Sequence, residues 1–157
     1  MNIKNKKKII QKKILNKKAY FNFYIEKKIV AGIQLQGWEV KAIRSGKVQI
    51  TNGYITIKNQ EVFLINVNLQ LLSTSSIFKT DQINREKKLL LNKKEIIMLS
   101  EFYNIKGYSI IPLKLFWIKS WCKIKIGIAR GKNIHDKRMD EKKRLWNRDK
   151  KIFLQEF

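Results

Sequence analysis

Few residues in this chain are spaced for chemistry. His135 is the only histidine, and it stands next to Asp136. That adjacency suggests a general base with a carboxylate beside it. Neighbouring residues need not hydrogen-bond, however, and no nucleophile or second acid completes a site. A lone histidine among Lys132, Lys137 and Arg138 is better suited to stacking on an unpaired base than to proton transfer. Cys122 is the only cysteine. One cysteine and one histidine cannot supply the four ligands of a structural zinc site, and no internal disulfide can form. Gly127 and Gly131 do not form a phosphate-binding P-loop: three residues separate them where four are needed, and no Ser or Thr follows Lys132. Among the sparse carboxylates Glu39 is notable. It follows Trp38 in a basic neighbourhood and is placed to hold Lys41 or Arg44. The simpler alternative is a surface ion pair of little energetic weight. The residues therefore point away from catalysis, and no cofactor or metal is expected.

The elements that must position these residues read mainly as strands with short helical insertions. Residues 1–18 hold eight lysines and no acid, the composition of a basic arm, either a solvated tail or one that touches RNA. Tyr20 to Leu35 is rich in aromatic and β-branched residues and reads as a strand. Trp38 to Arg44 is a short amphipathic helix, with Val40 and Ile43 on one face and Gly46 placed to stop it. Residues 54–69 read as a hairpin turning at Lys58-Asn59-Gln60-Glu61. Residues 73–88 show little periodicity and read as a long loop with a basic end, Arg85, Lys87 and Lys88. Asn92, with Glu95 three residues on, opens the clearest helix, with Ile96, Leu99 and Tyr103 on one side and Gly107 at its end. Two strands follow, Ile110 to Ile118 and the segment after Lys119-Ser120. In the second, Cys122, Ile124, Ile126 and Ile128 share one face and Trp121, Lys123 and Lys125 the other. The thiol is thereby expected to be buried and structural. Together these predict an antiparallel β-barrel of the oligonucleotide-binding type, five-stranded and partly open. The expected organisation is a basic arm over 1–18, a barrel over 19–130 and a basic tail over 131–157. In the tail Leu145, Trp146, Asp149, Ile152, Phe153 and Phe157 fall near one helical stripe. That stripe either packs on the barrel or orders on a partner.

The 157 residues suit one domain with tails, and 44% are hydrophobic, enough for a core without disulfides. The formal net charge is +23, from 35 Lys and Arg against 12 Asp and Glu. Such a charge opposes compaction and favours polyanions, RNA first. A codon-biased genome would also enrich lysine, isoleucine and asparagine, so the placement of the charges has to decide. No continuous apolar run resembles a signal peptide or spans a bilayer, which predicts a cytoplasmic protein with no membrane partner.

Several strings jointly resemble the small protein B family, the SsrA-binding protein of bacterial trans-translation. They are Asn16-Lys17-Lys18-Ala19, Leu35-Gln36-Gly37-Trp38-Glu39-Val40-Lys41, Lys88-Leu89-Leu90-Leu91-Asn92, Trp121-Cys122-Lys123-Ile124-Lys125-Ile126-Gly127 and Gly131-Lys132-Asn133-Ile134-His135-Asp136-Lys137-Arg138. They occur in the family's order and spacing over roughly residues 16–154. The resemblance implies that the barrel holds the tRNA-like domain of tmRNA (SsrA RNA), replacing a missing anticodon arm. It implies a tail that becomes helical on the stalled 70S ribosome, in the decoding centre of 16S rRNA and the empty messenger channel. Elongation factor Tu would share the delivered complex, with the protein a monomer and the ribosome doing the chemistry. Asn16, Glu39, Lys41, Arg44, Leu90, Lys123 and Lys125 match the RNA-facing motifs, with Lys17, Lys18, Arg85, Lys87 and Lys88 beside them. Gly131, Lys132, His135, Asp136, Lys137, Arg138 and Trp146 match the tail. The chain departs from the family at Tyr20-Phe21-Asn22-Phe23, at Ile83 where proline is usual, and at Lys87 where arginine is common. Val30 stands where an acidic residue usually precedes the Ala-Gly pair. Two other readings compete: a constitutive ribosomal or general RNA-binding component, and an RNA-processing enzyme using His135 and Asp136.

Overall fold

The structure is a computed structural model that describes residues 13–70 and 85–153. The basic arm up to residue 12, the loop segment 73–84 with Ile83, and Phe157 lie outside the described residues.

The chain enters the sheet earlier than expected. Ile14–Leu15 (β1) pairs with Leu115 and Lys114 of a later strand. The expected strand from Tyr20 is corrected. Lys17–Asn22 is a helix (α1), and the strand begins only at Phe23. The cause is Asn16, whose Oδ1 accepts from the Ala19 N–H at 3.0 Å and satisfies a free donor of the first turn. Ala19 then packs with Ile111, Leu113 and Ala129 in a small second core, joined by Phe23 and Ile25. That burial outweighs the strand preference of Tyr20 and Phe21.

Phe23–Ile33 (β2) crosses the molecule. Gly37–Ser45 (α2) follows, stopped by Gly46 at φ 77°, a left-handed position suited to glycine. Val48–Gln49 (β3) pairs with Asn68–Leu69 (β6). Between them Tyr54–Lys58 (β4) and Glu61–Ile65 (β5) form the expected hairpin. Asn59 and Gln60 both have positive φ, 48° and 61°, which matches the strand twist in a two-residue turn. The hairpin ends at Ile65 and does not reach 69. Lys87–Leu90 (β7) is a strand, so the loop does not extend to 88. Lys93–Asn104 (α3) begins as expected, with the Glu95 carboxylate accepting from the Asn92 N–H at 2.9 Å. Tyr108–Ile118 (β8) and Trp121–Gly131 (β9) pair along their length, and Ile134–Phe153 (α4) leaves the barrel.

One antiparallel sheet runs β1-β8-β9-β2-β7-β5-β4. Seven pairing segments replace the five strands expected. The β4 end packs back on β8, so the sheet curls without closing its hydrogen-bond ladder. The fold is thus mainly β, of the oligonucleotide-binding type. Inside lie Ala31, Leu64, Leu89, Leu115, Ile124, Ile126 and Ile128, with Ala42 and Ile43 of α2 and Leu99 of α3 closing the ends. The only proline, Pro112, sits at a bulge of β8, where a missing donor is tolerated.

Candidate nucleic-acid interface

The alternation in β9 sets the site. Cys122, Ile124, Ile126 and Ile128 point inward and are buried, as expected. Burial alone pushes the Cys122 thiol up to about 12, so it is an inert core group. Trp121, Lys123 and Lys125 point outward. Directly paired residues in an antiparallel sheet share a face, and the register therefore assembles the outer surface. Lys125 lies between Lys114 and Val30; Lys123 lies between Phe116 and Gly32, and Gly32 pairs with Leu90. Trp121 is 75% exposed and Leu90 57%. The result is a front of lysines among exposed apolar and aromatic groups. Lys114 and Lys125 stand directly opposite each other, a like-charge pair that opposes sheet formation. Phosphates placed there would relieve it. Lys114 rests over the Phe116 ring at 4.9 Å, which leaves its charge facing outward.

Leu90, Lys123 and Lys125 are thus brought together as the sequence implied. Lys114 and Phe116 were missed. The signal was available: a two-residue turn at Lys119-Ser120 dictates that Lys114 faces Lys125, but the apolar character of 110–118 concealed the alternation. Val30, 41% exposed, adds an apolar contact beside Lys125. Lys41 and Arg44 are exposed on α2, and the Arg44 guanidinium lies over Trp117 at 5.0 Å. Lys17 and Lys18 are exposed on α1. Lys88 is half-buried and paired with Glu61.

Three expected contact residues, Asn16, Glu39 and Lys87, are buried. Asn16 donates through Nδ2 to the Pro112 carbonyl at 2.9 Å, and its amide is consumed in joining β1, α1 and β8. Glu39 is fully buried. It holds neither Lys41 nor Arg44. Its Oε2 accepts from Arg85 at 2.5 Å and from the Gln36 N–H at 2.7 Å, while its Oε1 faces the Lys87 ammonium at 3.5 Å. Lys87 is only 2% exposed, and burial pushes its ammonium below the usual lysine range, with Glu39 partly offsetting this. Arg85 also donates to the Gln34 carbonyl. This buried cluster pins β7 against α2, and so places Leu90. Sequence proximity suggested the wrong cations.

At the far end of β9, Gly131 still pairs with Phe23, and the Lys132 N–H donates to the Asn22 carbonyl. The Lys132 ammonium binds the Tyr20 carbonyl and Asp140, and lies over the Tyr24 ring at 4.8 Å. Its hydrogen bond holds the Asp140 carboxyl below its usual range. Arg144 lies over Phe21. Beyond these contacts α4 stands clear. His135 and Arg138 are exposed, Lys137 is half-buried, and Trp146 is 72% exposed. The Asp136 carboxylate accepts from the Asn133 N–H at 3.3 Å, a helix cap. Leu145 and Ile152 are also exposed, so these residues do not pack on the barrel. Among the described residues no His, Cys, Asp and Glu group could hold a metal, and no helix is long and apolar enough to cross a membrane.

A curled antiparallel sheet with a lysine-rich, ring-bearing front and a projecting basic helix defines a basic barrel protein of the oligonucleotide-binding class. Comparison with known proteins gives the family. The family described as SmpB protein matches residues 13–156. The chain belongs to the SmpB family. The SsrA-binding protein of Buchnera aphidicola subsp. Acyrthosiphon pisum (strain Tuc7) is 47% identical over 148 residues, covering 92% of this chain and 91% of that one. The SsrA-binding protein of Ruthia magnifica subsp. Calyptogena magnifica is 45% identical over 142 residues, 90% and 86% of the two chains. A chain in a solved structure described as "tmRNA-SmpB: a journey to the center of the bacterial ribosome" is 32% identical with a TM-score of 0.65. That match covers 78% of this chain and 85% of the other.

Proposed function

We propose that this protein binds SsrA RNA (tmRNA) and carries it to stalled ribosomes in trans-translation. The observation that carries the reading is the outer sheet face, where Lys114, Lys123 and Lys125 surround Leu90, Val30 and Phe116 in a chain of the SmpB family. Cations position phosphate, and exposed rings and apolar side chains meet unstacked bases. Lys88, on the Leu90 side of β7, extends that face, and Lys17, Lys18, Lys41 and Arg44 add exposed cations on α1 and α2, with Arg85 turned partly inward. The tRNA-like domain occupies the barrel, which stands in for an anticodon arm. The tail acts separately: Gly131 and Lys132 anchor it, and His135, Asp136, Lys137, Arg138 and Trp146 enter the decoding centre and the empty messenger channel. Elongation factor Tu accompanies the delivered complex, and the protein works as a cytoplasmic monomer. It performs no chemistry itself; the ribosome does.

The test compares two variants. Lys123→Ala/Lys125→Ala should weaken tmRNA binding and reduce the slope of log K against log salt by about one for each phosphate no longer neutralised. A chain ending at Asn133 keeps Gly131 and the Lys132 bonds to the Asn22 and Tyr20 carbonyls, losing only the one to Asp140; it should bind tmRNA normally yet support no peptide tagging. Equal affinity for tmRNA and an unrelated structured RNA at matched salt would refute the reading.

A further inference from the structure

A cavity of about 380 Å³ lies at the opposite end of the β8–β9 pair from Lys123. Tyr108 marks that end, where it pairs with Arg130. Seven residues of strand separate Arg130 from Lys123, roughly 23 Å at the usual rise, so the tyrosine-lined end of the cavity is remote from Lys123. Three tyrosine rings line it: Tyr54, Tyr103 and Tyr108. Two are fixed in place. The Tyr108 hydroxyl donates to Glu26 at 2.9 Å, and the Tyr103 hydroxyl is 3.3 Å from Thr56 Oγ1. Such preorganised rings lose little entropy on stacking. Between them the wall carries the polar side chains of Asn22, Asn52 and Ser109. Lys18 is the one charged residue among the described lining, and no carboxylate joins it.

We propose that this cavity holds one unstacked RNA nucleotide, its base against the tyrosine rings, its edge read by the amides and its phosphate met by Lys18. The size decides against larger ligands. The volume sits at the low end of ligand sites, too small for a duplex and adequate for a single nucleotide. Aromatic walls with amide donors and acceptors are how proteins take a splayed base, and a cation at the rim selects the anionic backbone. The proposal rests on the reading of the protein as an RNA binder, but not on which RNA. The nucleotide comes either from tmRNA or from ribosomal RNA near the root of α4, where Lys132 is bonded to Asn22.

The test uses the full chain and an adenosine pentaribonucleotide with 2-aminopurine at its centre, whose fluorescence falls when it stacks on a ring. Quenching is expected with the unmodified protein. Tyr54→Leu, at a ring 49% exposed and thus tolerant of change, and Tyr103→Leu should each weaken binding about tenfold. Tyr103→Phe should retain it. Lys150→Ala, at an exposed lysine of α4 outside the cavity lining, should leave the quench unchanged. Quenching that survives both leucine variants overturns the cavity while leaving RNA binding in place. No quenching together with no tmRNA binding would mean that the RNA reading itself has failed. Chemical probing of the ribosome-bound complex then separates the sources. A nucleotide exposed by Tyr54→Leu in tmRNA or in 16S rRNA identifies the donor, and no change in either counts against the proposal.

Discussion

Replacing Glu39 by glutamine removes one charge and almost nothing else. The glutamine oxygen can still accept from the Gln36 N–H, so the start of α2 is kept. Lys87 remains 2% exposed and loses its counter-charge, and Arg85 loses a 2.5 Å partner. Breaking a buried pair by removing one member costs about 3–5 kcal/mol. Arg85 is partly exposed and can turn to water, so the low end applies, about 3 kcal/mol. For a domain of this size that is a loss of roughly 6–12 °C in Tm. Lys87→Met alone should cost only about 1 kcal/mol, because Arg85 and the Gln36 amide still hold Glu39. Glu39→Gln/Lys87→Met should return to within about 1 kcal/mol of the unmodified chain, since the glutamine still accepts from the Gln36 N–H, the buried Lys87 charge is gone and Arg85 can turn to water. The pH dependence has a definite sign. Burial lowers the folded-state value of Lys87 below 10.5, and Glu39 opposes that lowering. Below the lowered value the folded state carries the full penalty. As pH rises from there toward 10.5 the folded chain sheds a proton the unfolded chain keeps, and stability increases. Glu39→Gln deepens the lowering, so its deficit should narrow as pH rises toward 10.5. Urea unfolding followed by circular dichroism, across pH, measures all of this. A deficit under about 1 kcal/mol for Glu39→Gln, or a double variant as weak as the single, would refute the reasoning.

Gly127→Ala should destabilise by about 1–3 kcal/mol through overpacking. A Cβ there would come within 2.9 Å of Leu113 Cδ1 and 3.0 Å of Ile25 Cγ2, in the second core under α1. Thermal unfolding reads the cost, and an unchanged Tm would show that α1 is not held by that packing. Cys122, raised to about 12, should carry thiolate at pH 8 in roughly one molecule in ten thousand, so iodoacetamide should label it only after unfolding. Because its folded value lies above the unfolded one, its contribution is intact below about 9 and is lost as pH rises toward about 12.

Local information in the sequence was enough for the elements and not for the long-range contacts. The β8–β9 hairpin could be read because alternation, a two-residue turn and the inward Cys122-Ile124-Ile126-Ile128 set all agree. Asn92 with Glu95, and Gly46, mark helix ends by chemistry confined to a few residues. The helix at Lys17–Asn22 could not be read. Its cap, Asn16, is fixed by a carbonyl 96 residues away, and no local pattern announces that. Glu39 was paired with cations on its own helix because its real partner, Arg85, is 46 residues distant. Lys87 looked like Lys88 in sequence. Only the register of β7, which alternates inside and outside, separates a buried cation from one facing outward.

Lys132 fixes more than its own position. Its amide, its ammonium and the face of Tyr24 all engage it at the point where α4 departs. From Ile134 to Trp146 the helix extends about 18 Å. Two side chains brace it along the way, Asp140 on the Lys132 ammonium and Arg144 over the Phe21 ring. A tilt of about 10° at the base would carry Trp146 about 3 Å sideways, close to the rise of a base-pair step. Those two braces therefore set the aim of the helix tip together with the holds at Lys132.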